Sequence, residues 1–234
     1  MGSAPARSRR GGAAARLPWG RQRAREAEPV SVDAPAPGGP AEELVVLVSP
    51  EGEAIGTAPK SSVHHADTPL HLAFSAYLFD DAGSFLVTQR ALDKATFPGV
   101  WTNSACGHPA PGEPLAGAVC RRVADELGLA VGDLRLVLPR FSYRAEQDGV
   151  VELELCPVLV GRVAGAAPEP RIHPAEVEAA EWLPWEEFAA DVLAGRRRVS
   201  TWCREQVVEL DALGPSPDQW PDADPADLPA ALRH

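Results

Sequence analysis

Short apolar runs, broken by Gly, Pro and Asp turns and mixed irregularly with amphipathic stretches, predict a single α/β (α+β) domain. Such a chain builds a mixed β-sheet with helices packed on it. The length of 234 residues agrees, since it allows one domain of roughly 150–200 residues plus tails. An apolar fraction of 45% and a charged fraction of 24% are ordinary for a globular chain.

Residues 1–41 are rich in Ala, Gly, Pro and Arg, with seven arginines before the first acid, Glu26. Too little apolar surface is available there to offset the entropy of ordering, so a disordered extension is expected. An Arg-rich, acid-poor start also fits an organellar targeting peptide, although no amphipathic helix is visible. The folded domain is placed at 42–213. Leu44–Val48 reads as a strand ended by Ser-Pro-Glu-Gly, and 60–69 as a loop. His71–Phe79 is a second strand, turned by Asp80-Asp-Ala-Gly83 into a partner at Phe85–Arg90. Phe97–Trp101 is a turn leading to the loop Thr102-Asn-Ser-Ala-Cys-Gly-His-Pro109. A helix follows, with Ala116, Val119, Cys120, Val123 and Leu127 as its apolar stripe and Arg121, Arg122, Asp125 and Glu126 largely off it. Leu134–Tyr143, Val150–Val160 and Glu181–Leu183 read as strands; Trp185–Leu193 and Thr201–Leu213 read as helices. From 214 to 234, five prolines and four aspartates interrupt every pattern, so a loose tail is expected.

The net charge of −11 argues against a nucleic-acid partner, whose phosphates need neutralising. No apolar run approaches the roughly 20 residues that span a bilayer, so no membrane partner is expected either. The start lacks a secretory apolar region, and Cys106, Cys120, Cys156 and Cys203 show no CxxC spacing. A cytoplasmic protein with reduced thiols is expected, with Cys120 and Cys156 in the core. A monomer or weak homodimer is expected.

Glu152 and Glu154 lie two apart in a strand and so share a face. Two carboxylates that close repel unless a proton or cation intervenes, but a solvated strand edge would serve equally well. Four of the six histidines fall between His64 and His108. Three imidazoles, from His64 or His65, His71 and His108, would join the two carboxylates as a mixed N/O set for a divalent ion such as Zn²⁺, Mn²⁺ or Mg²⁺. Lys60, Arg90, Lys94 and Arg122 are either solvated cations or a local diphosphate clamp. Cys106 is either an inert thiol or a reactive one in the polar turn made with Asn103, Ser104, Gly107 and His108. Tyr143, Trp101 and Trp202 default to packing, though each could offer a π-face to a cation.

Read from Gly107, five residues lead to Glu113 and seven more to Arg121-Arg122-Val-Ala-Asp-Glu126-Leu-Gly128. That spacing resembles the Nudix box, with Arg122 and Asp125 where the hydrolases of that family carry glutamates. Three further motifs are similar to the type 1 isopentenyl-diphosphate isomerases, a Nudix-fold family: His64…Ala66-Asp-Thr-Pro-Leu-His71-Leu-Ala-Phe74, Phe97-Pro-Gly-Val-Trp-Thr-Asn-Ser-Ala-Cys-Gly-His-Pro109 and Glu152-Leu-Glu-Leu-Cys-Pro157. The resemblance runs from about residue 43 to 210. It implies a Nudix-type mixed sheet sandwiched by helices, and a metal-dependent 1,3-allylic proton shift between isopentenyl and dimethylallyl diphosphate in isoprenoid biosynthesis. It implies a metal site of His64 (rather than His65), His71, His108, Glu152 and Glu154. Cys106 and Glu154 would be the catalytic pair, with Glu154 near Tyr143 as a plausible acid and Cys106 thiolate as a plausible base; which one gives the first proton stays open. Glu126 would help hold a Mg²⁺ bridging to the substrate. Lys60, Arg90, Lys94 and Arg122 would contact the diphosphate, and Trp202 would face the cation. A Nudix hydrolase acting on another diphosphate is the alternative, as is a binding module that has lost turnover.

Overall fold

The computed structural model describes residues 42–233. The expected disorder of 1–41 falls outside them. In chain order the elements are β1 (Leu44–Val48), β2 (Ala54–Pro59), α1 (Lys60–Val63), β3 (His71–Leu72), β4 (Phe74–Phe79), β5 (Ser84–Arg90), β6 (Trp101–Thr102) and β7 (Ala105–Gly107). There follow α2 (Leu115–Leu127), β8 (Val131–Leu138), β9 (Ser142–Gln147), β10 (Val150–Leu155), β11 (Val158–Val163), β12 (Val177–Pro184), α3 (Trp185–Leu193) and α4 (Thr201–Leu213).

They form two mixed sheets. One has the order β2-β1-β3-β10-β9; the other runs β12-β5-β4-β11-β8, with β6 added to β5 and β7 to β4. β4 is buried along its whole length, so both its faces must be covered. On one face Phe74, Ala76 and Leu78 meet Leu115, Ala118, Val119, Val123 and Leu127 of α2. On the other, Tyr77 and Phe79 join Phe85 and Val87 against Phe188 and Val192 of α3 and Val207 and Leu210 of α4. The alternation of β4 side chains thus produces the helix–sheet–helix layering.

The two sheets share two chain segments. β3–β4 and β10–β11 run side by side and parallel, Glu154 opposite His71 in one sheet and Val158 opposite Ser75 in the other. Each segment breaks where it changes sheets, at Ala73 and at Cys156-Pro157. The ladder is carried across the break by Ala73 N–H donating to Leu155 O (3.0 Å) and Ser75 N–H donating to Pro157 O (3.0 Å). The continuous strands expected at 71–79 and 150–160 are therefore each two strands, and Pro157, with no N–H of its own, marks the seam.

Other expectations need correction. Residues 134–143 break between β8 and β9, and β2 was not anticipated. The stripe of α2 is rotated: Ala116 is exposed and Cys120 only half-buried, while Arg122 (9% exposed) and Glu126 (7%) are buried. Two charges on a buried face are tolerable because Arg122 donates to Glu126 one turn on. The helix ends at Gly128 in the left-handed region (φ 62°), whose N–H returns to Ala124 O.

The 214–234 tail, expected to be loose, is packed. Its prolines limit it to short 3₁₀ turns at Pro217–Gln219, Pro225–Asp227 and Ala230–Leu232, yet Trp220, Leu228 and Leu232 are buried. Arg135 donates to Trp220 O (2.6 Å) and pairs with Asp222 (2.7 Å), and Ala231 N–H donates to Gly52 O (3.0 Å). Trp220 stacks edge-on against Trp185 at 5.0 Å. Trp220→Ala is expected to lower unfolding free energy by about 3–5 kcal/mol, the usual cost of deleting a buried Trp. Guanidinium unfolding would measure it, and a loss under about 1 kcal/mol would mean the tail is not part of the core.

Candidate active site

The seam between the sheets brings the predicted residues together. His71 on β3, Glu154 on β10 and Tyr143 on β9 occupy one level across three neighbouring strands. Leucines and valines at the flanking positions drive the strands into the core, which carries these polar side chains in with them. His64 ends α1, and His108 follows β7. The three imidazole centroids stand 5.1, 5.2 and 5.6 Å apart, a nearly equilateral triangle. His64, His71, His108 and Glu154 each turn a ligand atom to within 4.8 Å of the others. His65 points away: it is exposed, and its ring Nδ1 accepts from Asp67 N–H.

The donor chemistry of this cluster fits a divalent ion. His64 Nε2, His71 Nε2 and His108 Nδ1 are buried with no hydrogen-bond partner, an arrangement that costs free energy unless something accepts their lone pairs. His71 Nδ1–H donates to Pro69 O (2.9 Å), which fixes the tautomer and leaves Nε2 free to ligate. Burial lowers His64 to about 4, keeping it neutral as a ligand must be. Burial works against ionised Glu154, but the hydrogen bond from His108 (3.1 Å) and the nearness of the His71 imidazole (3.5 Å) outweigh it and hold the carboxyl well below its usual range.

Glu152, the fifth expected ligand, lies outside the group whose ligand atoms fall within 4.8 Å of one another. Its carboxylate instead shares the Tyr143 hydroxyl with Glu154, at 3.1 and 2.7 Å respectively. Burial and the charge of Glu154 push Glu152 upward. The pair is buried, so it is no solvated strand edge.

Glu154, Glu152, Tyr143, Cys106 and Trp202 line one cavity of about 440 Å³, and Lys60, Arg90, Lys94, Arg122 and Glu126 line it too. The cations are already engaged. Lys60 donates to Glu43 (2.5 Å) and Arg90 to the carbonyls of Thr96 (2.8 Å) and Phe97 (3.1 Å). Lys94 and Arg122 both donate to Glu176, and Arg122 also to Glu126. Glu126 is thus salt-bridged to Arg122 and is not part of the histidine cluster; burial raises its pKa against the pull of Arg122. Glu176 was missed by the sequence reading. It lies in an irregular segment before β12, where no periodicity marks it. Burial works against its charge, yet Lys94 and Arg122 hold it at about 2.

Cys106 sits on β7 opposite Ser75 of β4. Its S–H donates to Asn103 Oδ1 (3.1 Å), and Ser75 Oγ is 3.6 Å away. Gly107 is required next to it: a Cβ there would come within 2.8 Å of the Arg122 stem and 3.0 Å of Phe74. Burial pushes the Cys106 thiol up to about 11 despite the hydrogen bonds of Ser75 and Asn103, so the resting group is the thiol and not the expected thiolate. Trp202 is fully buried under the Arg90 guanidinium (5.9 Å), with Phe97 edge-on at 5.2 Å and Tyr143 at 5.4 Å. It is delivered there by α4, whose cap Ser200 accepts from Cys203 N–H and meets Thr102 Oγ1 at 2.9 Å. Taken together, a proton-carrying thiol, an ionised carboxylate, an aromatic wall and a cationic lip suit proton transfer on an apolar group tethered to an anion.

The NUDIX domain family matches residues 69–203. The isopentenyl-diphosphate Delta-isomerase of Saccharopolyspora erythraea is 55% identical over 190 residues, covering 81% of this chain and 96% of that one. The chain belongs to the isopentenyl-diphosphate Delta-isomerase family. The isopentenyl-diphosphate Delta-isomerase of Mycolicibacterium vanbaalenii is 57% identical over 175 residues, covering 74% of this chain and 93% of its own. A Deinococcus radiodurans crystal structure superposes with a TM-score of 0.54 at 20% identity, over 71% of this chain and 98% of that one, a likeness of fold alone. The α+β Nudix fold expected of this isomerase family is thus the one observed. None of the described helices is long and apolar enough to cross a membrane.

Proposed function

We propose that this protein interconverts isopentenyl and dimethylallyl diphosphate, with Cys106 and Glu154 moving the protons. The observation that carries the reading is a thiol and an ionised carboxylate lining one cavity, with that carboxylate also in the cluster of His64, His71 and His108. An unactivated alkene is a poor base, so the reaction needs a strong acid at C4 and a base at C2. Protonating C4 gives a tertiary cation, which loss of a C2 proton discharges. Cys106 and Glu154 both line the cavity, where each can give or take a proton. One partner gives its proton to C4 and the other receives the proton from C2.

Tyr143, donating to Glu154, keeps that carboxylate aimed. The Trp202 ring lines the cavity where it stabilises the cation. Tyr143, Glu152, Glu154 and Trp202 are buried, so the inner end of the cavity is shielded from the water that would trap the cation. His64, His71, His108 and Glu154, with Glu152 beside them, would hold Mn²⁺, Zn²⁺ or Mg²⁺, which supplies positive charge to order the Glu154 carboxylate. Glu126 would take part in holding a Mg²⁺ that neutralises the substrate diphosphate.

Lys94 and Arg122 exchange their carboxylate partner Glu176 for the diphosphate, with Lys60 and Arg90 completing the lip. Arg122 stands where hydrolases of the fold carry a glutamate, which favours anchoring the diphosphate over cleaving it. Arg122→Glu is expected to raise KM at least about tenfold, the worth of one charge-assisted hydrogen bond. An unchanged KM would count against the clamp.

The deciding experiment incubates pure protein with isopentenyl diphosphate and Mg²⁺ or Mn²⁺. Acid-labile dimethylallyl product is expected, without phosphate release. Phosphate release would mean a hydrolase, and neither product a binding module.

A further inference from the structure

Asn103 lies behind the cavity wall, fully buried, between Cys106 and Trp202. Its orientation is forced: Nδ2 donates to Ala76 O (3.1 Å) and Ala105 O (2.9 Å), and only an amide nitrogen can face two carbonyls. Oδ1 must therefore point the other way. Three donors converge on it there: Thr102 Oγ1 at 2.9 Å, Cys106 Sγ at 3.1 Å and Trp202 Nε1 at 3.1 Å. Cys106 is on β7 and Trp202 on α4, 96 residues later in the chain, so this one oxygen joins the two side chains across elements distant in sequence.

We propose that Asn103 is a positioning residue, tying the Cys106 sulfur and the Trp202 indole into one unit with a fixed separation. The inference rests on the reaction proposed above, in which the sulfur carries a proton and the ring faces the cation that proton creates. Phe97 and Tyr143 pack on the indole through its rings. The bond from Nε1–H to Asn103 adds a directional contact that fixes where the polar edge of the ring lies. The S–H bond to the same oxygen sets which way the sulfur faces. Asn103 does not line the cavity, so it acts through the side chains bonded to it.

The test measures kcat and KM for isopentenyl diphosphate in the parent, Asn103→Ala, Trp202→Phe and the double variant. Asn103→Ala should lower kcat about 10- to 100-fold, the usual consequence of misplacing a reacting group by about 1 Å. KM should stay within about threefold, because Asn103 touches no diphosphate cation. Trp202→Phe keeps an aromatic ring but loses the N–H. If the tether is real the double variant is no worse than the poorer single one, since each breaks the same unit. Losses that multiply, or that fall on KM, would overturn the proposal.

A second readout covers the case in which Asn103→Ala does not fold. In a Cys120→Ser background, where Cys156 and Cys203 are buried, iodoacetamide alkylation reports on Cys106. Trp202→Phe should change that rate by at least about threefold through the shared oxygen; an unchanged rate would sink the tether. Alkylation needs no turnover, so inactivity of the parent protein would refute the reaction without touching this result.

Discussion

Cys106→Ala is expected to lower kcat for isopentenyl diphosphate by about 10³-fold or more, within the usual span for removing a positioned acid or base. KM should hardly move. The sulfur contacts Asn103 and Ser75, whereas the cavity's cations are bound to Glu43, Glu176 and backbone carbonyls. Metal content should not move either, because Cys106 is not among the four clustered ligand groups. Cys106→Ser separates shape from acidity: the hydroxyl fits the site and can donate to Asn103 but yields its proton far less readily, so it should be nearly as slow as the alanine variant. Turnover within a few-fold of normal in either variant would remove Cys106 from the mechanism.

How far the residues themselves announced this arrangement depends on how local the determining interactions are. α3 and α4 appear at the residues their sequence patterns marked, because a helix closes its hydrogen bonds within four residues. The breaks at Ala73 and Pro157 were not legible in the same way, since they exist only by virtue of bonds between segments about 80 residues apart. The face of α2 was misjudged for a related reason. Arg122 and Glu126 look like solvent residues until Glu176, fifty residues on, is seen to complete their charge pairing. The histidine cluster was legible as a set of residue types, but periodicity could not choose His64 over His65. That choice depends on which side of the short α1 turn meets β3 and β7. Asn103 was legible only as a polar neighbour of Cys106, because its five partners come from three separate stretches of chain.

Glu154→Gln is the second substitution with a large expected effect, and it should fail in two separable ways. The carboxylate sits where three interactions meet: His108 Nε2 at 3.1 Å, His71 Nε2 at 3.5 Å and the Tyr143 hydroxyl at 2.7 Å. Glutamine preserves the shape but removes the charge, and its NH₂ must face either an imidazole N–H or the Tyr143 hydroxyl. Metal bound to protein purified without added ions should therefore fall at least about tenfold below the parent, as loss of even an outer ligand partner commonly does. Isomerisation should fall by about 10³-fold or more, because an amide neither gives nor takes a proton at neutral pH. Saturating Mn²⁺ or Mg²⁺ distinguishes the two roles. Occupancy should recover while turnover does not, since excess ion can refill the His64, His71 and His108 cluster but cannot restore a proton acceptor. Recovery of near-parent turnover would leave Glu154 as a ligand only and would pass the proton role to Glu152, the other carboxylate on the Tyr143 hydroxyl.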